Sequence, residues 1–289
     1  GLLSSTTYTE EDAEEYSSDL SLDFVGQPSI GVGTDSYGNY VGGGASAYFS
    51  DMLGEKILGI SAQAQGTFKD IGGQVFYADL SNRWNWGVSG GRIPYLLGFY
   101  DFGADPILDD GGEPIIDIDG NPLVRPYTGL ARYRIFINSA AGQVSYPFSS
   151  TQRFEVSLGM TRYSYDIELD KFYMDDFGRV VDFDRQGQDD LCTTPGGRLC
   201  SPDPLNMAQV SAALVGDNSS FGFVSPVRGG RYRFEVEQTT GTVDFTTIIA
   251  DWRRYYSPAK NLTVGVRGMH YGRYGLSEVE NAADGFGLL

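Results

Sequence analysis

Arg153-Phe154-Glu155-Val156-Ser157-Leu158-Gly159-Met160 alternates without a fault: each even position is apolar, and each odd one is charged, small or hydroxylated. Period two over that length predicts a β-strand with one apolar face, because successive side chains of a strand point to opposite sides. The alternation returns in Arg231-Tyr232-Arg233-Phe234-Glu235-Val236-Glu237 and in Leu262-Thr263-Val264-Gly265-Val266-Arg267. Extended along the chain, the same reading predicts about eleven strands. They cover 20–33, 39–50, 55–68, 72–80, 83–94, 128–148, 151–166, 206–217, 229–238, 242–256 and 260–273. In the sixth, the parity of the apolar residues flips between Ile137 and Val144, which predicts a bulge or bend near Ala140-Ala141-Gly142. No helical periodicity interrupts the series, so a parallel sheet made by crossovers is not expected.

Composition agrees with many strands and turns. The 289 residues include 39 Gly, 19 Tyr, 17 Phe and 3 Trp, while lysine is confined to Lys56, Lys69, Lys171 and Lys260. The formal net charge is −17, which argues against a nucleic-acid partner, since such binding needs basic charge to displace phosphate counterions. No stretch approaches 18 uncharged apolar residues, so no transmembrane helix is expected; a barrel is not excluded by that.

Two all-β architectures compete: a soluble sandwich whose apolar faces meet inside, and an antiparallel transmembrane β-barrel whose apolar faces meet lipid. Strands of this length suit a tilted bilayer crossing. Aromatic residues gather at strand ends, where an interfacial girdle would need them: Trp84, Trp86, Trp252, Tyr255, Tyr256 and Tyr271. Connections also alternate. Those after even-numbered strands are mostly short, and the long ones, 95–127 and 167–205, follow odd-numbered strands, as in barrels with short periplasmic turns and long external loops. The reading is therefore an acidic, disordered or linker lead-in over 1–19 and a partial outer-membrane barrel over 20–289, with the first residues on the periplasmic side. Outer-membrane lipid is the expected partner, with other envelope proteins or a chain completing the barrel beside it.

Candidate chemistry is sparse. His270 is the sole histidine, and neither Asp251 nor Ser277 is spaced to complete a triad with it, so no enzyme and no cofactor are expected. Asp117, Asp119 and Asn121 in Asp117-Ile118-Asp119-Gly120-Asn121 resemble part of a calcium loop, but the twelfth position, Thr128, lacks the bidentate carboxylate. They are a weak metal candidate against a solvated acidic loop. Cys192 and Cys200 allow two readings: a local disulfide formed in an oxidising compartment, or free or metal-binding thiols. The odd-parity charges Arg153, Glu155, Arg231, Arg233, Glu235, Glu237 and Arg267 are expected to line a lumen, paired or wet, because unpaired buried charge is costly.

Several blocks carry a family resemblance: Leu20-Ser21-Leu22-Asp23-Phe24-Val25-Gly26-Gln27-Pro28, Gly42-Gly43-Gly44-Ala45-Ser46-Ala47-Tyr48-Phe49-Ser50-Asp51-Met52-Leu53-Gly54, Arg83-Trp84-Asn85-Trp86-Gly87, Asp251-Trp252-Arg253-Arg254-Tyr255-Tyr256 and His270-Tyr271-Gly272-Arg273-Tyr274-Gly275. Over about residues 20–275 the chain resembles the bacterial surface-antigen family of sixteen-stranded outer-membrane barrels, most of all the branch whose barrel follows a TolB-like propeller. The resemblance implies a role in anchoring, polypeptide transport or insertion, a pore, and a weakly paired first strand, where Pro28, Gly31 and Gly33 interrupt the ladder. It also implies a lumenal Val-Arg-Gly-Tyr/Phe loop and about five later strands, which do not occur within these residues. A surface binding module on a barrel scaffold and a secreted carbohydrate-binding sandwich are the alternatives.

Overall fold

A computed structural model describes residues 19–35, 38–65, 68–109, 111–175, 177–193, 200–223, 225–259 and 262–275. Its strands are β1 (Ser21–Val25), β2 (Ser29–Asp35), β3 (Gly38–Ser50), β4 (Lys56–Gln65), β5 (Ile71–Asp79), β6 (Asn85–Pro106) and β7 (Val124–Ser149). Then come β8 (Gln152–Met174), β9 (Val180–Gln186), a short helix α1 (Gln188–Thr193), β10 (Leu205–Asp217), β11 (Ser220–Phe221), β12 (Pro226–Gly241), β13 (Phe245–Ala259) and β14 (Leu262–Tyr274). All pair antiparallel in one sheet, along the path β1-β3-β4-β5-β6-β7-β8-β10-β12-β13-β14, with β2, β9 and β11 as side branches. The path has the eleven strands that periodicity predicts. It is open: β1 and β14 are its ends, and no pairing joins them among the described residues.

The first expected strand, 20–33, is two. β1 and β2 both pair with β3, but Gly26-Gln27-Pro28 stands between Val25, opposite Ala47, and Ser29, opposite Gly44. Proline has no N–H for the ladder, so the break falls where the chain lacks a donor.

The largest departure from expectation concerns length. β6, β7 and β8 run 22, 26 and 23 residues, so much of 95–127 and 167–205 is strand rather than loop. β5 accompanies β6 only as far as Arg92, and β10 accompanies β8 only as far as Tyr163. Beyond those points β6, β7 and β8, joined by β9, run on as a four-stranded flap past the ends of β5 and β10.

The bulge expected at Ala140-Ala141-Gly142 is absent. Ala140 faces Gly90 on one side and Met160 on the other in unbroken register, and the β7–β8 pairing slips only between Pro147 and Ser149. What changes along β7 is the chemistry of its faces. Near the short turns the even face is apolar, with Val144 and Tyr146 opposite Val156 and Phe154. In the flap the odd face is apolar: Ala131, Tyr133, Ile167 and Leu169 are buried together with Leu191 of α1, flanked by Phe99, Ile135 and Tyr165. The even face there carries Arg132, Arg134, Asp166 and Glu168. The sequence parity flips because the environment does, while the register continues unbroken.

Candidate functional site

Directly paired residues share a face, so registers carry one face across the whole sheet. Followed from strand to strand, the face of Val156 and Leu158 takes in Leu58 and Ile60 on β4, Val75 on β5, Trp86 and Val88 on β6, Val144 on β7 and Val210 and Leu214 on β10. It continues through Phe234 and Val236, Ile248 and Trp252, and Val264 and Val266. These side chains are not sealed against a second sheet: Phe154 is 39% exposed, Val156 40% and Leu158 59%.

The opposite face is polar and knitted by ions. All seven charges expected to line an interior lie on it. Arg153 Nε and Arg233 Nη1 both donate to Glu155, at 2.6 and 2.8 Å, and Arg233 Nε donates to Glu235 at 2.7 Å. Arg267 pairs with Asp251 at 2.9 Å, and Arg253 takes the same carboxylate at 2.6 Å. Arg231 and Glu237 form no ion pair among the described residues. Asp251 and Arg253 are the hub that composition alone passes over. Their odd parity on β13, opposite Ile248, Ala250 and Trp252, is the signal that assigns them to this face. Ser157 Oγ and Ser211 Oγ, 2.7 Å apart, extend the polar lining.

The aromatic residues divide. Trp86, Trp252 and Tyr256 fall on the apolar face toward the short turns, and Trp84, in the β5–β6 turn, lies 4.8 Å from the ring of Tyr146. Tyr255 and Tyr271 have the parity of the polar face, so they do not belong to that girdle. His270 is opposite Ala250, on the face away from Asp251, and its Nε2 lies 2.8 Å from Tyr274 Oη. The two triad candidates are thus on opposite sides of the sheet; Ser277 lies outside the described residues.

In the flap, charge locks one element to another. Arg134, its side chain 2% exposed, donates to Asp70 at 2.9 Å and to Glu168 at 2.8 Å. Lys69 reaches Glu168 at 2.7 Å and Asp166 at 3.0 Å. The 3₁₀ turn Phe68–Asp70, between β4 and β5, is thereby clasped to β7 and β8. Burial pushes the Glu168 carboxyl up, but hydrogen bonds from Lys69 and Arg134 outweigh it and hold the group at about 2. On the other side, Lys171 Nζ and Tyr173 Oη both donate to Asp105, at 2.7 and 2.6 Å, and Tyr127 Oη donates to Asp101 at 2.9 Å. Burial, then Asp101, pushes the Tyr127 hydroxyl up to about 12. No local pattern in the sequence points to this flap network, because it joins residues from 26 to 99 positions apart.

Asp117, Asp119 and Asn121 form a turn. Asp117 Oδ1 accepts the N–H groups of Asp119 and Asn121 at 2.9 and 2.8 Å, and Gly120 adopts a φ of 85°. The backbone N–H of Asn121, ahead of burial, holds the Asp117 carboxyl below the ordinary range. Asp109 and Asp175 build the same turn, with Gly112 and Gly178 in the left-handed region. A side chain that already serves the backbone is a poor cation ligand, and among the described residues no cluster of His, Cys, Asp or Glu could hold a metal. The first two turns belong to a repeat, Ile107-Leu108-Asp109-Asp110-Gly111-Gly112-Glu113-Pro114 followed by Ile115-Ile116-Asp117-Ile118-Asp119-Gly120-Asn121-Pro122. Ile107 donates to Leu123, Leu123 to Ile115 and Ile115 to Ile107, closing a triangle of backbone hydrogen bonds at the flap tip. Cys192, within α1, is joined to Cys200 in a disulfide, deciding between the two cysteine readings.

Comparison with protein-family models, curated proteins and solved structures finds no match for this chain. The likeness to surface-antigen barrels therefore rests on the quoted sequence blocks alone.

Proposed function

We propose that this chain is the greater part of an outer-membrane β-barrel serving as an anchor, a pore or a route for polypeptide insertion. One observation carries the reading: across adjacent strands the apolar face stays uncovered while the opposite face is charged and internally paired. In water, exposed apolar surface on that scale is costly; in a bilayer it is what a spanning sheet presents. The flap supports it. Beyond the reach of β5 and β10 the apolar chemistry moves to the other face, as expected where strands leave hydrocarbon and their outer side meets water. Hydrocarbon does not tolerate open edges, so strands from a longer chain or a second chain would complete the sheet between β14 and β1. The split first strand, weakest at Pro28, is the natural seam.

Fractionation tests this directly. The protein is expected in membranes, released only by detergent, with gel mobility that changes on heating. Release by salt or alkali as a monodisperse soluble protein would refute the membrane placement. A second reading, a binding module on a barrel scaffold, is favoured by the flap tip, where Ile118 projects fully exposed among acidic turns. Planar-bilayer conductance separates the two: open or gated currents support a pore, and electrical silence supports the scaffold.

A further inference from the structure

Arg92, Asn138, Arg162 and Asn206 stand in one row across β6, β7, β8 and β10, in direct register and with the parity of the apolar face. The row on its short-turn side is Gly90, Ala140, Met160 and Ala208. From there to Tyr146 and Phe154 that face carries no charge on these four strands. On the other side come Pro94, Phe136 and Ser164, and then Arg134 and Asp166 of the clasp. The row therefore lies where the apolar face ends. There β5 makes its last pairing with β6, at Arg92, and β10 leaves β8 one residue beyond Arg162.

The two arginines are exposed, and neither makes an ion pair among the described residues. Asp166 and Glu168, the carboxylates on that face of β8, already hold Lys69 and Arg134. The Arg92 guanidinium lies 4.2 Å from the ring centre of Phe136, in the next row toward the flap, so its side chain leans away from the apolar rows. Stacking fixes the plane of the guanidinium and leaves its N–H edge to an anion. Arg92 and Arg162 are two strands apart, roughly 10 Å, with the neutral amide of Asn138 between them.

The pair Tyr146 and Phe154 and the pair Asn138 and Arg162 are separated by eight residues, about 27 Å along the strands. At a tilt of about 40° this spans about 20 Å, close to the apolar band of an outer-membrane barrel. On the membrane reading, the guanidiniums then stand at the polar boundary of the leaflet away from the short turns, with their stems along hydrocarbon. We propose that Arg92 and Arg162 together bind the phosphate of a lipid headgroup in that leaflet, with the Asn138 amide between them. A phosphate has oxygens enough to accept from both guanidinium forks at once, while the acyl chains lie against Met160 and the rows below it. The inference rests on the membrane reading of this face.

Native mass spectrometry of the full protein in neutral detergent tests it, with dioleoyl phosphatidic acid and dioleoylglycerol as probes that differ only in the phosphate. Retention of phosphatidic acid over dioleoylglycerol is expected. It should weaken about tenfold in Arg162→Gln and in Arg92→Gln, and less in Arg162→Lys, which keeps the charge but loses the fork. Arg273→Gln, on the polar face, is expected to leave retention unchanged. Arg162 makes no ion pair among the described residues, so its variants are expected to fold, with unchanged circular dichroism. Equal retention of the two lipids would overturn the proposal, as would an equal loss in Arg273→Gln, which reduces the effect to net charge. Displacement of phosphatidic acid by inorganic phosphate would also overturn it, because the site would then serve the free ion. A protein that needs no detergent refutes the membrane reading before any lipid is added; one that needs detergent and retains neither lipid overturns this inference alone.

Discussion

Arg134 is the residue on which the flap depends most. It is buried and holds Asp70 and Glu168 at once, so its removal takes a charged donor from two carboxylates, of which Glu168 keeps Lys69. Arg134→Ala is expected to cost about 3–5 kcal/mol, the usual penalty for breaking a buried pair from one side. Hydrogen exchange in residues 68–70 and 164–170 would register the loss, and unchanged protection would show that the clasp is ornamental. The pH dependence follows from Glu168. Its carboxyl is held at about 2 in the folded protein, below its unfolded value, so the clasp is at full strength above the unfolded pKa. It weakens as pH falls from roughly 4.3 toward 2, the interval between the unfolded and folded values. Glu168→Gln is expected to flatten that decline, measured as exchange at Lys69 and Asp70 against pH. Gly120 answers to backbone rather than charge. With φ at 85°, Gly120→Ala is expected to cost about 1 kcal/mol at the tip, seen as faster proteolysis between residues 107 and 123.

Among the elements, β8 performs two tasks with one uninterrupted backbone. Its first half leaves Phe154, Val156 and Leu158 exposed on one face, and its second half buries Ile167 and Leu169 on the opposite face. Substitutions should therefore divide by position and by parity. On the proposed membrane reading, Leu158→Arg is expected to lower folding stability in vesicles by about 2–4 kcal/mol. Ser157→Arg, one residue away but on the charged face, is expected to cost much less. Urea titration of vesicle-embedded protein measures both, and equal costs would contradict the assignment of faces. β7 makes the same change of face, while β6 carries apolar residues on both faces of the flap, among them Leu96 and Tyr100 on one and Leu97 and Phe99 on the other. The interior of the flap is closed by Leu191, brought in by α1, whose Cys192 is bridged to Cys200.

At the scale of the molecule, the open path from β1 to β14 is the property that most needs a partner. Among the described residues β14 pairs with β13 on one side only, so every second N–H along its length points away from that pairing. On the proposed barrel reading, a further strand would cover those amides, and they are expected to be as slow to exchange as the amides bonded to β13. Exchange at the rate of turn amides would mean that the edge stays bare. The β1–β2 end differs in kind. Pro28 removes a donor and the chain there is broken into short pieces, so closure at this end would be the weaker of the two joints.

Period-two alternation was enough to determine the all-β class, the eleven strands of the path and the common face of Arg153, Glu155, Arg231, Arg233, Glu235, Glu237 and Arg267. Each of these is local: parity within a strand follows from the pleat, and neighbouring hairpins transmit it through short turns. The tertiary structure alone decided that β6, β7 and β8 run on past their neighbours and that the flip near Ile137 is a change of surroundings rather than a bulge. It also assigned Asp251, Arg253 and Arg134 their partners. Those outcomes depend on which side of a strand is covered and on contacts between residues far apart in the chain. A hydrophobic pattern reports that the chemistry of a face has changed, but the reason lies in what stands against that face.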